Sequence, residues 1–130
     1  MIVGVMKTLV DVERYVEAAI IQNDKKRNKM KHDLGLKQQE VNSMTRVALD
    51  ENGKQYANPK YTEAWNEFQQ MQRDFQAMHD KADWLKRKSA ELEGFENEAR
   101  RRGLFTTKTE YKIELTLADL QYLDIPSEEL

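Results

Sequence analysis

Residues Tyr61 to Arg102 read YTEAWNEFQQMQRDFQAMHDKADWLKRKSAELEGFENEARRR. Apolar side chains recur there on a seven-residue beat. Tyr61, Phe68, Phe75 and Ala82 form one line, and Ala64, Met71, Met78, Leu85, Leu92 and Ala99 form the other. Ser89 and Glu96 alone break the two lines. Such a pattern, held for about six heptads, is the seam of a coiled-coil-like helix. Asn58-Pro59 supplies its start. The Asn side chain can cap free N–H groups, and a proline at the first helical position has no N–H to leave unpaired. Gly103 supplies the stop, after Arg100, Arg101 and Arg102, whose charge suits the negative end of the helix dipole. At about 1.5 Å per residue the helix is roughly 60 Å long.

A second helix is expected upstream, from Thr8 as its cap to about Met44. Leu9, Val12, Val16, Ala19 and Ile20 share one face, and the line resumes at Met30, Leu34, Val41, Met44 and Ala48. Asn23, Arg27 and Lys37 interrupt it. This reads as one helix, weaker in the middle: Gly35 costs up to about 1 kcal/mol relative to alanine inside a helix, which leaves room for a kink or break between Asn23 and Gly35. Asp50-Glu51-Asn52-Gly53 is a turn signal. Its flanks, Arg46–Leu49 and Lys54–Tyr56, read equally as a plain loop or as a small β-hairpin.

Folding the chain back near Gly53 makes the helices antiparallel neighbours. Val41 then meets Phe68, Leu34 meets Phe75, Met30 meets Met78 and Val16 meets Leu92. Apolar meets apolar at each level, which supports the register. Asn23 and Arg27 fall opposite Leu85 and Ala82. There they either fix the register at a cost in stability or fray into solvent.

Beyond Gly103 the period changes. Thr109 to Leu117 alternates, with Tyr111, Ile113, Leu115 and Leu117 on one face: a strand signal. Leu120, Tyr122 and Leu123 follow in a short amphipathic turn ended by Pro126. A lone strand leaves its backbone groups unpaired. Its partner is either the apolar segment Ile2-Val3-Gly4-Val5 or the sheet of another molecule; the greater length of the tail favours the second. The organisation is therefore 1–7, an apolar segment and possible strand; 8–102, a helical hairpin turning near 50–58; and 103–130, a strand-bearing tail. The fold class is mainly α, a long antiparallel two-helix hairpin with a short C-terminal strand.

The chain has 130 residues, 34% charged and 39% apolar, with a formal net charge of -2. That composition suits long solvated helices and a small core, and the charge makes no overall case for nucleic acid or membrane surfaces. The basic run Lys25, Lys26, Arg27, Lys29, Lys31 is bracketed by Asp24 and Asp33 and lacks interleaved aromatics, so it reads as a solvated face rather than a phosphate track. With no cysteine there is no disulfide or thiolate site. The opening Met1–Met6 is too short for the core of a signal peptide, no apolar run reaches the roughly 20 residues of a membrane span, and compartment is left open. His32 and His79 fall on different faces and do not converge on a metal. No nucleophile elbow, phosphate loop or paired carboxylates in a cleft are present, so neither an enzyme nor a small-molecule or cofactor site is expected.

The order helix, Asn58-Pro59 turn, helix resembles the hairpins of type III secretion needle subunits. Helix, β-hairpin, helix is similar to prefoldin-like chaperones. In length the chain is similar to small secreted helical hairpins that carry Trp-X-Gly at the turn, but here Asn66 and Glu67 follow Trp65. These resemblances rest on shape or a single dipeptide and carry no residue roles. The expectation is a non-enzymatic structural or adaptor subunit of a larger assembly, such as a phage particle or secretion-type machine, acting by coiled-coil packing and C-terminal tail docking, with self-association or a multi-subunit assembly as its partners. The alternative is a secretion or assembly chaperone. Trp84, on the back of the second helix, and the tail residues Tyr111, Ile113, Leu115, Leu117, Leu120 and Leu123 are the expected partner contacts.

Overall fold

The computed structural model describes residues 4–101 and 111–130. The expected stop at Arg102-Gly103, the strand residues Ile2 and Val3, and Thr109 and Glu110 lie outside the described residues. In order come β1 (Met6–Thr8), α1 (Leu9–Ser43), β2 (Val47–Leu49), β3 (Gln55–Ala57), α2 (Pro59–Arg101), β4 (Lys112–Glu114), α3 (Leu117–Tyr122) and a closing 3-10 turn, Ser127–Glu129. The mainly α hairpin of two long antiparallel helices is thus present, with the short strand in the C-terminal tail.

Local chemistry sets the helix ends. Thr8 Oγ1 accepts the Asp11 N–H at 3.3 Å, and Asp11 itself suits the first turn of α1. Asn58 Oδ1 accepts the Lys60 N–H at 3.2 Å ahead of Pro59, the first residue of α2. As expected of a single helix, α1 runs without a break through Asn23 and Gly35. Asn23 does not fray: it is buried, so tertiary packing holds the helix where the apolar line lapses. Gly35 has only open space around its Cβ position, so its penalty is the backbone entropy term alone.

Two compact units divide the chain: Met1–Asp24 with Asp80–Leu130, and Lys25–His79. The boundary in α1 falls where its apolar line fails, between Asn23 and Arg27. Within the first unit the tail packs on the terminal parts of both helices.

In the first unit, Leu9, Val12, Tyr15, Val16 and Ala19 of α1 meet Leu85 and Leu92 of α2 and Leu115 and Leu123 of the tail. The expected level Val16–Leu92 lies inside this cluster. β1 and β4 pair antiparallel, Met6 with Glu114, Lys7 with Ile113 and Thr8 with Lys112. The ladder continues past both strand ends: Leu9 N–H donates to Tyr111 O at 2.7 Å, and Leu115 N–H donates to Val5 O at 2.8 Å. The favoured pairing with another molecule therefore gives way to pairing within the chain. The partner strand is Met6–Thr8, shifted along from the expected Ile2–Val5, and Leu115 must sit in the core for the cluster to close.

In the second unit, Val41, Ala64 and Phe68 are buried, with Leu34, Met44 and Tyr61 packed against them. The level Val41–Phe68 is in place. Further along, Met30, Leu34, Phe75 and Met78 are half-buried, less than a full seam implies. Lys37 at an interrupted position pairs with Glu67 and, at 3.1 Å, with Glu40, and these carboxylates raise its pKa above the ordinary lysine value. A graded result follows. Phe68→Ala is expected to cost about 3–5 kcal/mol in denaturant unfolding, and Phe75→Ala clearly less, because truncation cost scales with how enclosed the ring is. Equal losses at the two sites would mean that the two rings are equally enclosed.

Candidate interaction surfaces

The tail is locked by a buried charge pair that heptad reading does not reveal. Asp119 is fully buried and Lys88 is 6% exposed, with Lys88 Nζ 2.9 Å from Asp119 Oδ1. The same carboxylate closes the start of α3. Thr116 N–H donates to Asp119 Oδ2 at 2.9 Å, while Asp119 N–H donates to Thr116 Oγ1 at 3.2 Å, a reciprocal capping box. Burying two charges costs several kcal/mol each, so the pair persists only because its geometry and hydrogen bonds offset that cost. Thr116-Leu-Ala-Asp119 was the sequence signal for this cap; nothing in the sequence pairs Asp119 with Lys88.

Beside it, Trp84 is half-buried and its ring lies against Tyr122, centroids 4.9 Å apart. On a two-helix hairpin Trp84 would face solvent, but α3 occupies that side. Phe95 approaches Tyr111 at 6.3 Å. Of the expected contact residues, Leu115 and Leu123 are buried, Trp84, Tyr111, Ile113 and Leu120 are half-buried, and only Leu117 is exposed. The chain's own core thus takes up most of the face assigned to a partner. The last turn is held by Glu129, which bonds the Tyr15 hydroxyl and, at 3.2 Å, Arg14. Those donors hold its carboxyl below the usual carboxylate range, and burial together with Glu129 pushes the Tyr15 hydroxyl up.

The second unit ends in a different surface. β2 and β3 form an antiparallel hairpin, Val47 with Ala57, Ala48 with Tyr56 and Leu49 with Gln55. The turn is tightly specified. Asp50 Oδ1 accepts the N–H groups of Asn52 (2.9 Å) and Lys54 (2.7 Å), and Gly53 takes the positive φ of 76° that a β-carbon would oppose. Asn58 ties the base: its N–H donates to Arg46 O at 3.1 Å and its Nδ2 to Thr45 O at 2.8 Å. Yet Val47, Leu49 (64% exposed) and Tyr56 all lie open. Trp65, also exposed, stacks on Tyr61 in the first turns of α2, with centroids 6.5 Å apart.

A third feature lies in the first unit, on the flank of the seam away from the tail. By the 100° step of a helix, Ser89, Glu93 and Glu96 sit roughly 120° round α2 from Trp84, Lys88 and Phe95. They line a groove of about 340 Å³ with Glu13, Val16, Glu17 and Ile20 of α1 and Leu92 of α2. Ser89 and Glu96 are the two breaks in the heptad lines of α2, so the groove opens where a seam would otherwise be closed by apolar side chains.

Among the described residues no group of three or more His, Cys, Asp or Glu is placed to hold a metal, and no helix is long and apolar enough to cross a membrane. His79 is engaged elsewhere: Arg27 Nη2 lies 3.0 Å from its Nδ1, and its ring meets the edge of Phe75 at 4.4 Å. Lys25, Lys26, Lys29 and Lys31 are exposed. Comparison with protein-family models, curated proteins and solved structures finds no match for this chain.

Proposed function

We propose that this protein is a non-enzymatic structural or adaptor subunit of a larger protein assembly. The observation that carries the reading is the β2–β3 tip. Two three-residue strands are marginal alone, and both strand edges are open to pairing. Its polar groups are nevertheless held in fixed geometry by Asp50 and Asn58, while Val47, Leu49 and Tyr56 point into solvent. A tip held in shape by polar bonds, with its apolar side chains outermost, is arranged for display rather than for its own core. Strand addition or apolar packing by a protein partner would cover it. The docking role expected of the tail passes to this tip, since the tail is satisfied within the chain.

The test is the double substitution Leu49→Glu with Tyr56→Ser. Helicity and melting should match the parent, because exposed positions change stability by within about 0.5 kcal/mol. Fixed-stoichiometry co-purification from the native source, read by mass measurement, should be lost. Retention of the complex with both substitutions in place would overturn the tip as the docking surface. A bound polypeptide that exchanges freely, instead of holding a fixed ratio, would favour an assembly chaperone.

A further inference from the structure

We propose that the groove of the first unit receives the basic face of α1 from a second copy of the chain, a reading that rests on the assembly role above. The groove has an apolar floor, Val16, Ile20 and Leu92, and an acidic rim. On that rim Glu17 and Glu93 are exposed, and among the described residues neither has an ion-pair partner. No basic side chain lines it. Such a surface takes a helix that brings cations on alkyl stems, since lysine stems can lie on apolar surface while their charged ends reach the rim.

The same chain offers such a helix. Lys25, Lys29, His32 and Leu36 are spaced i, i+4, i+7 and i+11, so they fall on one stripe of α1, and all four are exposed. Leu36, off the seam and 53% exposed, adds an apolar side chain to the stripe's end. Lys25 and Lys29, one turn apart, would set their charges against Glu17 on the α1 wall and Glu93 on the α2 wall of the groove. Such opposite charges steer the encounter and fix its register. Groove and stripe are different patches, so the contact is heterologous: each copy gives a stripe to one neighbour and a groove to the other, which builds a ring or an open filament.

Charge reversal tests this on the full chain by sedimentation velocity at low and high salt. The parent should associate at low salt and dissociate as salt rises. Glu17→Lys with Glu93→Lys should weaken association by about 10-fold or more, and so should Lys25→Glu with Lys29→Glu, since each places like charges face to face. Circular dichroism should be unchanged in both. Mixing the two variants should restore association, because each reversed groove then meets a reversed stripe. A parent that stays monomeric, a reversed variant that still associates, or a mixture that stays apart would each overturn the proposal. A monomeric parent that takes up a lysine-rich amphipathic peptide at the groove would assign it to a foreign helix, again overturning the second-copy reading. The tip substitutions leave these charges in place, so loss of the native complex and loss of self-association are scored separately.

Discussion

Asp119→Ala is expected to destabilise the first unit by about 3–5 kcal/mol, because it leaves the enclosed Lys88 ammonium with only the exposed Glu91 carboxylate, at 3.4 Å, beside it. Loss of the α3 cap adds about 1 kcal/mol. The effect is read in denaturant unfolding followed by circular dichroism and by Trp84 fluorescence, since that ring lies against Tyr122 of α3. Lys88→Met alone should also be costly, stranding a fully buried carboxylate. Combining Lys88→Met with Asp119→Asn removes both charges and keeps a side-chain acceptor for the Thr116 N–H. The double variant should recover much of the loss, since replacing a buried pair is far less damaging than breaking it. Strict additivity of the two changes would show that the side chains are not coupled.

Removal of residues 111–130 should have the larger effect. Were the tail strand paired with another molecule, deletion from Thr106 onward would spare the helices and abolish assembly. The observed core reverses that expectation. Leu115 and Leu123 are almost wholly enclosed among Leu9, Val12, Tyr15 and Leu85, with Tyr111, Ile113, Leu120 and Ile125 packed around them. Losing one buried leucine side chain typically costs about 2–5 kcal/mol, and here two go together with the β1–β4 ladder. That exceeds what a small unit can spare. The truncated chain should lose helix in residues 4–24 and 80–101 while residues 25–79 keep theirs. Hydrogen exchange resolved by residue checks this. Unchanged protection at Val12 and Leu85 would show that the tail is dispensable.

The helices were legible because a seven-residue beat sustained from Tyr61 to Ala99 fits neither the two-residue period of a strand nor a loop, and because Asn58-Pro59 and Thr8 are chemical end signals. The levels Val41–Phe68 and Val16–Leu92 followed from the turn at Gly53. The tail was legible as a strand but not in its destination. Alternation identifies a face that must be covered and says nothing of what covers it. Met6-Lys7-Thr8 has no apolar alternation to advertise itself as the partner; backbone pairing, not side chains, defines it. Trp84 reads as exposed only while two helices are counted. The pairing of Lys88 with Asp119 carries no signal in the sequence, because burial of an ion pair depends on three-dimensional enclosure, which periodicity does not encode. The tip was half legible: Asp50 and Gly53 specify the turn, while Arg46–Leu49 and Lys54–Tyr56 fit a plain loop and a β-hairpin equally until they are seen paired.

The two units also differ in how the chain must be made to complete them. Lys25–His79 is contiguous, so its contacts can form as soon as that segment has left the ribosome. The other unit joins Met1–Asp24 to Asp80–Leu130 and is closed by the pairing of β1 with β4. Leu9, Val12 and Val16 therefore wait, with their apolar face uncovered, until synthesis has passed Leu123. At about 5–20 residues per second that delay lasts seconds, long against the microseconds in which a helix forms. The early part of α1 is thus the segment most open to mispairing during synthesis, and a nascent-chain binding factor would find it there.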